Sequence, residues 1–337
     1  MEVNSQNLEV LSNYLRSTLH PDIAVRKPAE KDLQTVEINK GFPLLLTTLM
    51  QKQDALMEIR VAAAITFKNF VKRNWRIVAE EPSRIDAEDR AAIKGQVVSL
   101  MLNSPEAVQR QVSEAISLIG REDFPNNWQE LLPELISQLS SEQFGRINSC
   151  LRTAHSLFRR YRHEMKSEGL WREIKYVLET FAQPMTLLYG RALEAAKQVT
   201  LSTPTDQVQP LFECLVLLAK LFNSLNAQDI PEFFEDNMTQ WMGGFLDLLQ
   251  MEVKQLYTAD DSDEPGLQEQ LRTEICDNIT MYAQKYDEEF TEKGCLPPFV
   301  QVVWQLLVQT GQQIKYDLLV SNAIQFLASV CEREQYK

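Results

Sequence analysis

The stretch RVAAAITFKNFVKRNW, residues 60–75, predicts one long helix that is apolar on one side and basic on the other. At 3.6 residues per turn, one wide arc carries the apolar side chains Val61, Ala64, Ile65, Phe67, Val71 and Trp75. The opposite strip carries the polar side chains Thr66, Asn69, Arg73 and Arg76. Lys68 and Lys72 lie inside the apolar arc. They either complement the helix dipole and extend over a neighbouring helix, or they form a binding face.

The whole chain has the composition of a helical protein. Its 337 residues exceed what one ordinary core serves, so the chain is expected to form several domains or a repeat array. It contains only 11 glycines, and no Asn-Gly or Asp-Gly dipeptide marks a β-hairpin. These features favour helix throughout.

Amphipathic helices follow one another in pairs. Ser104 is predicted to cap a helix that has Pro105 in its first position and ends at Gly120. Its apolar stripe comprises Val108, Val112, Ala115, Ile116 and Ile119. A second helix is predicted to begin at Pro125, with the stripe Trp128, Leu131, Leu132, Leu135, Ile136 and Leu139. Later stripes comprise Ile147, Leu151, Ala154, Phe158 and Tyr161, and then Val320, Ala323, Ile324, Leu327 and Cys331.

About fourteen helices form seven predicted pairs, at residues 5–38, 42–77, 87–121, 125–163, 169–226, 229–288 and 295–331. Proline is predicted to mark helix starts at Pro28, Pro43, Pro105, Pro125, Pro231 and Pro297-Pro298. Loops are expected near residues 80–89, 200–206 and 259–266. Pairs of about 40 to 50 residues are typical of HEAT repeats. The predicted fold class is therefore an all-α, right-handed superhelical HEAT-repeat solenoid.

The charge balance disfavours nucleic acid as a partner. Lysine and arginine total 34 against 47 aspartates and glutamates, which gives a net charge of −13, whereas phosphate binding needs a basic surface. The acidity suits a protein partner with basic segments, or it only promotes solubility. The acidic loop ADDSDEPG, residues 259–266, is accordingly either a solvated turn or a docking site for lysine and arginine side chains.

The five cysteines Cys150, Cys214, Cys276, Cys295 and Cys331 are widely spaced, as expected for buried free thiols in a reducing compartment. The three histidines complete no zinc-binding spacing, so no metal or cofactor is predicted. The chain begins without a signal sequence and has no run of about 18 uninterrupted apolar residues. We therefore expect a soluble intracellular protein without membrane insertion.

No motif for catalysis is present. The phosphate-binding glycine loops, the Gly-x-Ser-x-Gly elbow and the His-Glu-x-x-His helix are all missing, so no catalytic residue is predicted. His155 is interpreted as a packed histidine. The basic run RRYRH, residues 159–163, either complements a helix dipole or contacts a phosphate or an acidic helix.

Several segments are similar to those of a known family. RKPAEKDLQTVE (26–37), Pro43 and the stretch at 60–75 resemble the N-terminal domain of the importin-β superfamily of nuclear transport receptors. Further segments are similar to a branch of that superfamily that exports importin-α: IGREDFPNNW (119–128), RTAHSLFRRYRHE (152–164), DIPEFFEDNM (229–238), YAQKYDEEF (282–290) and KYDLLVSNAIQFLASVCER (315–333).

This resemblance implies a non-enzymatic receptor that shuttles between nucleus and cytoplasm. It would carry importin-α out of the nucleus in a complex with Ran-GTP, release it on GTP hydrolysis by Ran, and have nuclear pore proteins as further partners. It also implies Ran-binding repeats at residues 1–121 and further HEAT repeats, truncated at the C-terminus, at 122–337. The alternatives are a passive HEAT-repeat scaffold and a truncated product that lacks stable cargo binding.

The resemblance places the Ran-facing surface on the inner helices, expected at residues 26–37, 60–76 and 105–119. The residues that match are Glu30, Lys31 and Gln34 on the first helix, Lys68, Asn69 and Lys72 on the second, and Arg121 and Asp123 just after the third. Phe67 and Trp75 are assigned to the core instead.

Overall fold

A computed structural model describes residues 1–77, 83–259 and 262–333. In these ranges the chain forms sixteen α-helices and three short 3-10 helices, and no β-strand. The α-helices are α1 (Ser5–Thr18), α2 (Ile23–Val36), α3 (Phe42–Gln51), α4 (Met57–Asn74), α5 (Ala87–Leu102), α6 (Glu106–Asp123), α7 (Leu131–Ser137), α8 (Phe144–Phe158), α9 (Glu168–Lys197), α10 (Thr205–Asn226), α11 (Glu232–Asp236), α12 (Met238–Gln250), α13 (Leu267–Lys285), α14 (Asp287–Glu292), α15 (Leu296–Gln309) and α16 (Asp317–Cys331).

The predicted all-helical class and the seven pairs are confirmed in the described residues. The two helices beyond the predicted fourteen, α11 and α14, have only 5 and 6 residues. Contacts divide the chain into two compact units, Met1–Leu135 and Ile136–Lys337. The functional division proposed at residue 121 stays a prediction.

In the first unit, α4 packs between α3 and α6. The interior of this packing is aromatic: Phe42 and Phe70 lie 5.6 Å apart between ring centroids, and Phe67 is fully buried. The buried Arg60 of α4 donates from Nε to the carbonyl oxygen of Met50 at 2.7 Å. That bond satisfies one of the carbonyls that the end of α3 leaves without an intrahelical donor, and so it joins the two helices of the pair.

In the second unit, α8, α10, α13 and α16 pack one on the next. A buried or half-buried asparagine bridges each of these three interfaces from its side-chain nitrogen. Asn148 donates to Pro210 O at 2.9 Å, Asn278 to Ala219 O at 3.0 Å, and Asn322 to Thr273 O at 3.3 Å. Since a side-chain amide reaches a backbone carbonyl at only one register, these bonds help to specify how successive helices align.

Helix α10 is long and apolar enough, by length and composition alone, to cross a membrane. The sequence has no uninterrupted apolar run of that length, since Glu213 and Lys220 interrupt α10, but two charged residues do not lower the average apolarity of the helix below this criterion. Within the protein, 78% of the apolar window of α10 is buried, as in the core helix of a globular protein.

Several predicted helix ends were wrong. Helix α2 begins upstream of Pro28, because Asp22 caps it by accepting from the Ala24 N–H at 2.9 Å. Pro105 precedes α6 as its N-cap, while the Ser104 hydroxyl donates to Leu100 O. Gly120 lies inside α6, since it has no positive φ angle that would end the helix. Residues after Pro125 form turns, and α7 begins only at Leu131.

The predicted apolar arcs were also rotated. In α4, Ile65 is exposed and Val61 is half-buried, whereas Phe70 and Asn74 face the core. In α16, Ile324 and Cys331 are exposed, and Phe326 and Val330 are buried instead. Both helices carry apolar residues on more than one side, so periodicity alone does not decide which side meets a neighbour.

Four of the five cysteines, Cys150, Cys214, Cys276 and Cys295, are buried as predicted. The fifth, Cys331, is exposed. Burial raises the pKa of Cys150 and of Cys276 to about 12. These two thiols therefore stay protonated near neutral pH and act as small apolar side chains.

Candidate protein-binding surface

The first candidate residues lie on α2, which is a largely exposed helix. Ala29 is the one residue of α2 that is buried. Glu30, Lys31 and Gln34 are all exposed, and Arg26 lies 3.8 Å from the Glu30 carboxylate. Because little of α2 is needed for packing, its polar side chains are free to meet a partner.

The two lysines of α4, which are equivalent in the sequence pattern, have different surroundings in the structure. Lys72 is exposed, so its predicted place inside the apolar arc was wrong, whereas Asn69, predicted on the polar strip, is half-buried. Lys68 lies at the edge of the buried face and forms an ion pair with Glu114 of α6 at 3.2 Å, which leaves its side chain only 19% exposed. Lys68 therefore has a structural partner, whereas Lys72 has none among the described residues.

The last two candidates lie within the final turn of α6 and not after it. Arg121 is exposed. The Asp123 carboxylate is held by Lys94 at 3.0 Å, and the same ammonium donates to Asn127 O at 2.7 Å. Asp123 thus anchors the turn after α6 to α5, and its Ran-facing role stays a prediction.

The structure brings the candidates on α4 and α6 together, because these two helices pack directly on each other. An ion pair at 2.7 Å between Arg73 and Glu37, the residue after α2, links α4 to the first pair. We define the outward strip as the exposed or half-buried polar residues Glu30, Lys31, Gln34, Lys68, Asn69, Lys72, Arg76, Arg110, Glu114 and Arg121. Along α4 this strip is basic, in contrast to the net charge of −13.

Sequence reasoning missed Arg110 and Glu114. Both precede Arg121 on the same side of α6, at spacings of eleven and seven residues that return to one helical face. That spacing could have identified them. Arg110 also forms an ion pair with Glu106.

The basic run at 159–163 is mostly engaged within the second unit. Arg160 pairs with Glu164 at 2.8 Å and with Glu173. Arg162 donates to Ser224 Oγ at 3.0 Å and to Lys220 O at 2.7 Å. These bonds join the end of α8 to α9 and α10, so they favour a structural interpretation of the run over a phosphate site. The acidic residues Asp260 and Asp261 lie outside the described residues.

The surroundings of His155 favour its interpretation as a packed histidine, and they lead to a prediction of how stability depends on pH. Burial lowers its pKa from 6.5 to about 4, and the positive charges of Arg162, Lys220 and Arg159 act in the same direction. Between these two pH values the unfolded chain binds a proton that the folded chain does not bind. The contribution of His155 to the free energy of unfolding is therefore fully present above the unfolded pKa of 6.5, and it is lost as the pH falls toward 4.

Compared with a His155→Gln variant, the protein is expected to lose about 3 kcal/mol of unfolding free energy between neutral pH and the lowered pKa. Denaturant titrations at several pH values measure this difference. Burial raises the pKa of both Glu274 and Asp277, which has the opposite effect on stability. Those groups are common to both proteins and cancel in the comparison. Parallel pH profiles for the two proteins would contradict the assignment.

In the part of the chain that the structure describes, no group of three or more His, Cys, Asp and Glu side chains is arranged to hold a metal ion. What stands out there is an exposed polar surface on stacked helix pairs. The molecule thus belongs to the helical-repeat class of proteins.

Family comparisons define the protein further. The Cse1 family model matches residues 157–337, and the model of the importin-beta N-terminal domain matches residues 29–103. The chain therefore belongs to the Cse1 family.

Individual relatives agree with this assignment. The chain is 57% identical to exportin-2 of Oreochromis niloticus over 100% of its own length and 34% of that protein. It resembles the solved exportin Cse1 in its cargo-free, cytoplasmic state with a TM-score of 0.89 and 32% identity, covering 98% of this chain and 35% of the other. It thus spans about a third of the length of these relatives.

A more distant structure, Kap121p bound to RanGTP, has a TM-score of 0.53 at 17% identity, covering 97% of this chain and 33% of that one. At this level of identity the likeness shows the shared fold. Together with Cse1, it confirms the HEAT-repeat class predicted from the helix pairs.

Proposed function

We propose that this protein acts in nuclear export, as a receptor that carries importin-α from nucleus to cytoplasm in a complex with Ran-GTP. The observation that carries the proposal is the 57% identity to exportin-2 along the whole chain. In this proposal the protein shuttles between the two compartments, and GTP hydrolysis on Ran releases both partners. The receptor itself performs no catalysis, holds no cofactor, and binds neither nucleic acid nor the membrane interior.

Ran-GTP is proposed to bind the outward strip. Lys72, Asn69 and Arg121 are exposed or half-buried there and offer donors to acidic and carbonyl groups of a protein surface. Lys68 and Glu114 form an ion pair with each other at 3.2 Å. They therefore contribute more to the shape of this surface than to its affinity for Ran-GTP. The relation between cargo and Ran-GTP is thermodynamic, since each ligand favours a conformation that the other also favours.

Nuclear pore proteins are proposed as further partners. The second unit has an apolar groove of about 490 Å³ between α9 and the segment that runs from the end of α10 to the start of α11, lined by Trp171, Ile174, Leu178, Ile230 and Phe233 among others. Such a groove suits an apolar side chain of a bound segment.

The nucleotide state of Ran tests the export proposal. We expect the chain to retain Ran-GTP at least about tenfold better than Ran-GDP in a pull-down, which corresponds to about 1.4 kcal/mol of discrimination. Adding importin-α is expected to raise retention of Ran-GTP, because coupling between two sites is reciprocal. Equal retention of the two nucleotide forms would contradict the proposal and favour the passive scaffold. Discrimination without any effect of importin-α would favour a product that lacks stable cargo binding.

A further inference from the structure

The apolar groove of the second unit has a length that limits which kind of segment it can hold. Its residues on α9 are Trp171, Ile174, Lys175, Leu178, Glu179 and Gln183. They recur at spacings of three and four residues, so they lie on one side of the helix. From Trp171 to Gln183 this side extends over about 18 Å, since an α-helix rises ~1.5 Å per residue. The groove is therefore long enough for about three turns of a second helix.

The floor and the walls of the groove are apolar. Ile174 is 4% exposed and Leu225 is 2% exposed, so these two side chains form the floor. The walls are formed by Trp171 and Leu178 on α9 and, opposite them, by Ile230, Pro231 and Phe233. The walls are more open than the floor, since Trp171 is 38% exposed. Apolar side chains of a partner would cover this surface and remove it from water.

The wall opposite α9 is held in place by contacts beneath it. Gln228 Nε2 donates to Tyr161 O at 2.6 Å and to Glu164 O at 2.9 Å. Phe233 lies edge-on to the fully buried Phe234, with ring centroids 5.3 Å apart. Because these contacts fix the groove before a partner arrives, binding does not have to include the cost of ordering it.

The two rims of the groove differ in charge. On α9, Lys175 and Glu179 form an ion pair at 3.9 Å and neutralise each other. On the opposite rim, Asp229 and Glu232 are exposed, and neither forms an ion pair with another described residue. This rim thus carries two uncompensated negative charges beside apolar surface. It complements a lysine or arginine side chain of a partner.

We propose that the groove binds an amphipathic α-helix of a protein partner. The apolar side chains of this helix, at spacings of three and four residues, pack between Trp171 on one wall and Ile230 and Phe233 on the other. Lysine or arginine residues on one flank of the helix approach Asp229 and Glu232. The inference rests on the proposed function in taking the groove as a partner site, and it adds the secondary structure and the charge of the segment that binds there.

Synthetic peptides test the helix and its charge on the unmodified chain. The probe is a fluorescein-labelled, alanine-based peptide of about 14 residues with leucines along one face and lysines on one flank. Fluorescence anisotropy is expected to give a Kd below about 100 μM. Replacing the lysines by glutamates is expected to weaken binding at least about tenfold. A proline in the middle of the lysine peptide breaks its helix and is expected to weaken binding at least about tenfold as well.

A tryptophan substitution locates the apolar contact. Trp171→Ala removes one wall of the groove and is expected to weaken binding of the lysine peptide at least about tenfold. Trp304→Ala, at an exposed position outside the groove, is the matched control and is expected to bind like the unmodified chain. Melting curves establish that both variants are folded. Equal losses in the two variants would place the peptide elsewhere and overturn the proposal.

Neutral substitutions locate the charged contact. Asp229→Asn combined with Glu232→Gln is expected to weaken binding at least about threefold and to reduce its dependence on salt. Asp263→Asn combined with Glu264→Gln makes the same change in net charge at exposed positions outside the groove. This control is expected to bind like the unmodified chain. Equal effects of the two double variants would overturn the role of the acidic rim.

Absence of saturable binding of the lysine peptide up to about 1 mM would overturn the proposal. Equal binding of the glutamate peptide would overturn the charge of the partner. Equal binding of the proline peptide, or tighter binding of a glycine- and serine-rich peptide with isolated phenylalanines, would overturn the helix and favour an extended segment. These titrations contain neither Ran nor importin-α, so their failure and that of the nucleotide-dependent pull-down are distinguishable.

Discussion

Replacing Trp241 by alanine is expected to lower the free energy of unfolding of the second unit by about 4 kcal/mol. The indole is fully buried and stacks on Tyr189, with ring centroids 4.0 Å apart. The ring centroid of Phe222 lies 4.6 Å from that of the indole, and the indole Nε1 donates to Thr186 Oγ1 at 3.1 Å. The substitution therefore opens a large cavity among α9, α10 and α12 and leaves the Thr186 hydroxyl without this partner.

Trp304→Ala is the matched control, because it removes the same side chain from a position that is 62% exposed in the same unit. It is expected to change the unfolding free energy by less than about 0.5 kcal/mol. Denaturant unfolding followed by far-ultraviolet circular dichroism measures both variants. Similar losses for the two substitutions would show that the aromatic cluster around Trp241 does not hold the three helices together.

Lys72→Glu is expected to weaken Ran-GTP binding by about tenfold or more, if the outward strip is the Ran surface as proposed. Lys72 is exposed and has no described ion-pair partner, so reversing its charge places a carboxylate where the partner offers acceptors. Folding is expected to be unaffected. Titration of the variant with Ran-GTP, alongside its melting curve, measures the two effects separately.

The control for this prediction is Lys175→Glu on α9, which makes the same change in net charge at an exposed position far along the chain. It is expected to bind Ran-GTP like the unmodified protein. If both reversals weakened binding equally, the effect would come from net charge and the outward strip would lose its support.

Lys68 needs a different design because of its ion pair. Lys68→Glu alone brings two carboxylates together at the 3.2 Å pair with Glu114, so it is expected to perturb the packing of α4 on α6. The double variant Lys68→Glu with Glu114→Lys restores an opposite-charge pair. Recovery of both stability and Ran binding in the double variant would make Lys68 structural. Recovery of stability alone would make it a contact residue.

Much of the architecture could be predicted because helix formation is a local property. The stripe of Val108, Val112, Ala115, Ile116 and Ile119 is entirely buried, as its spacing predicts. All seven pairs follow from such stripes. Helix ends were less predictable, since the proline at position 28 is tolerated inside α2 once Asp22 caps that helix.

For the candidate site, the sequence predicted which residues take part but not which of their charges are paired within the protein. Lys68 and Lys72 are equivalent in sequence, four residues apart on one helix. Only Lys68 forms an ion pair within the protein, because Glu114, 46 residues later in the chain, lies beside it in the folded structure. Asp123 is likewise engaged within the protein, because Lys94 on the preceding helix lies 3.0 Å from its carboxylate, and its Ran-facing role stays a prediction.

The amino-acid sequence by itself determined the helical class, the pairing of helices and the family, because these depend on periodicity and on residues adjacent in the chain. The tertiary structure alone decided which apolar stripe of α4 and α16 is covered, which charges are paired, and where Trp171, Ile230 and Phe233 share a groove. Those outcomes depend on contacts between residues distant in sequence, and the free energy of a charge or an apolar side chain depends on what surrounds it.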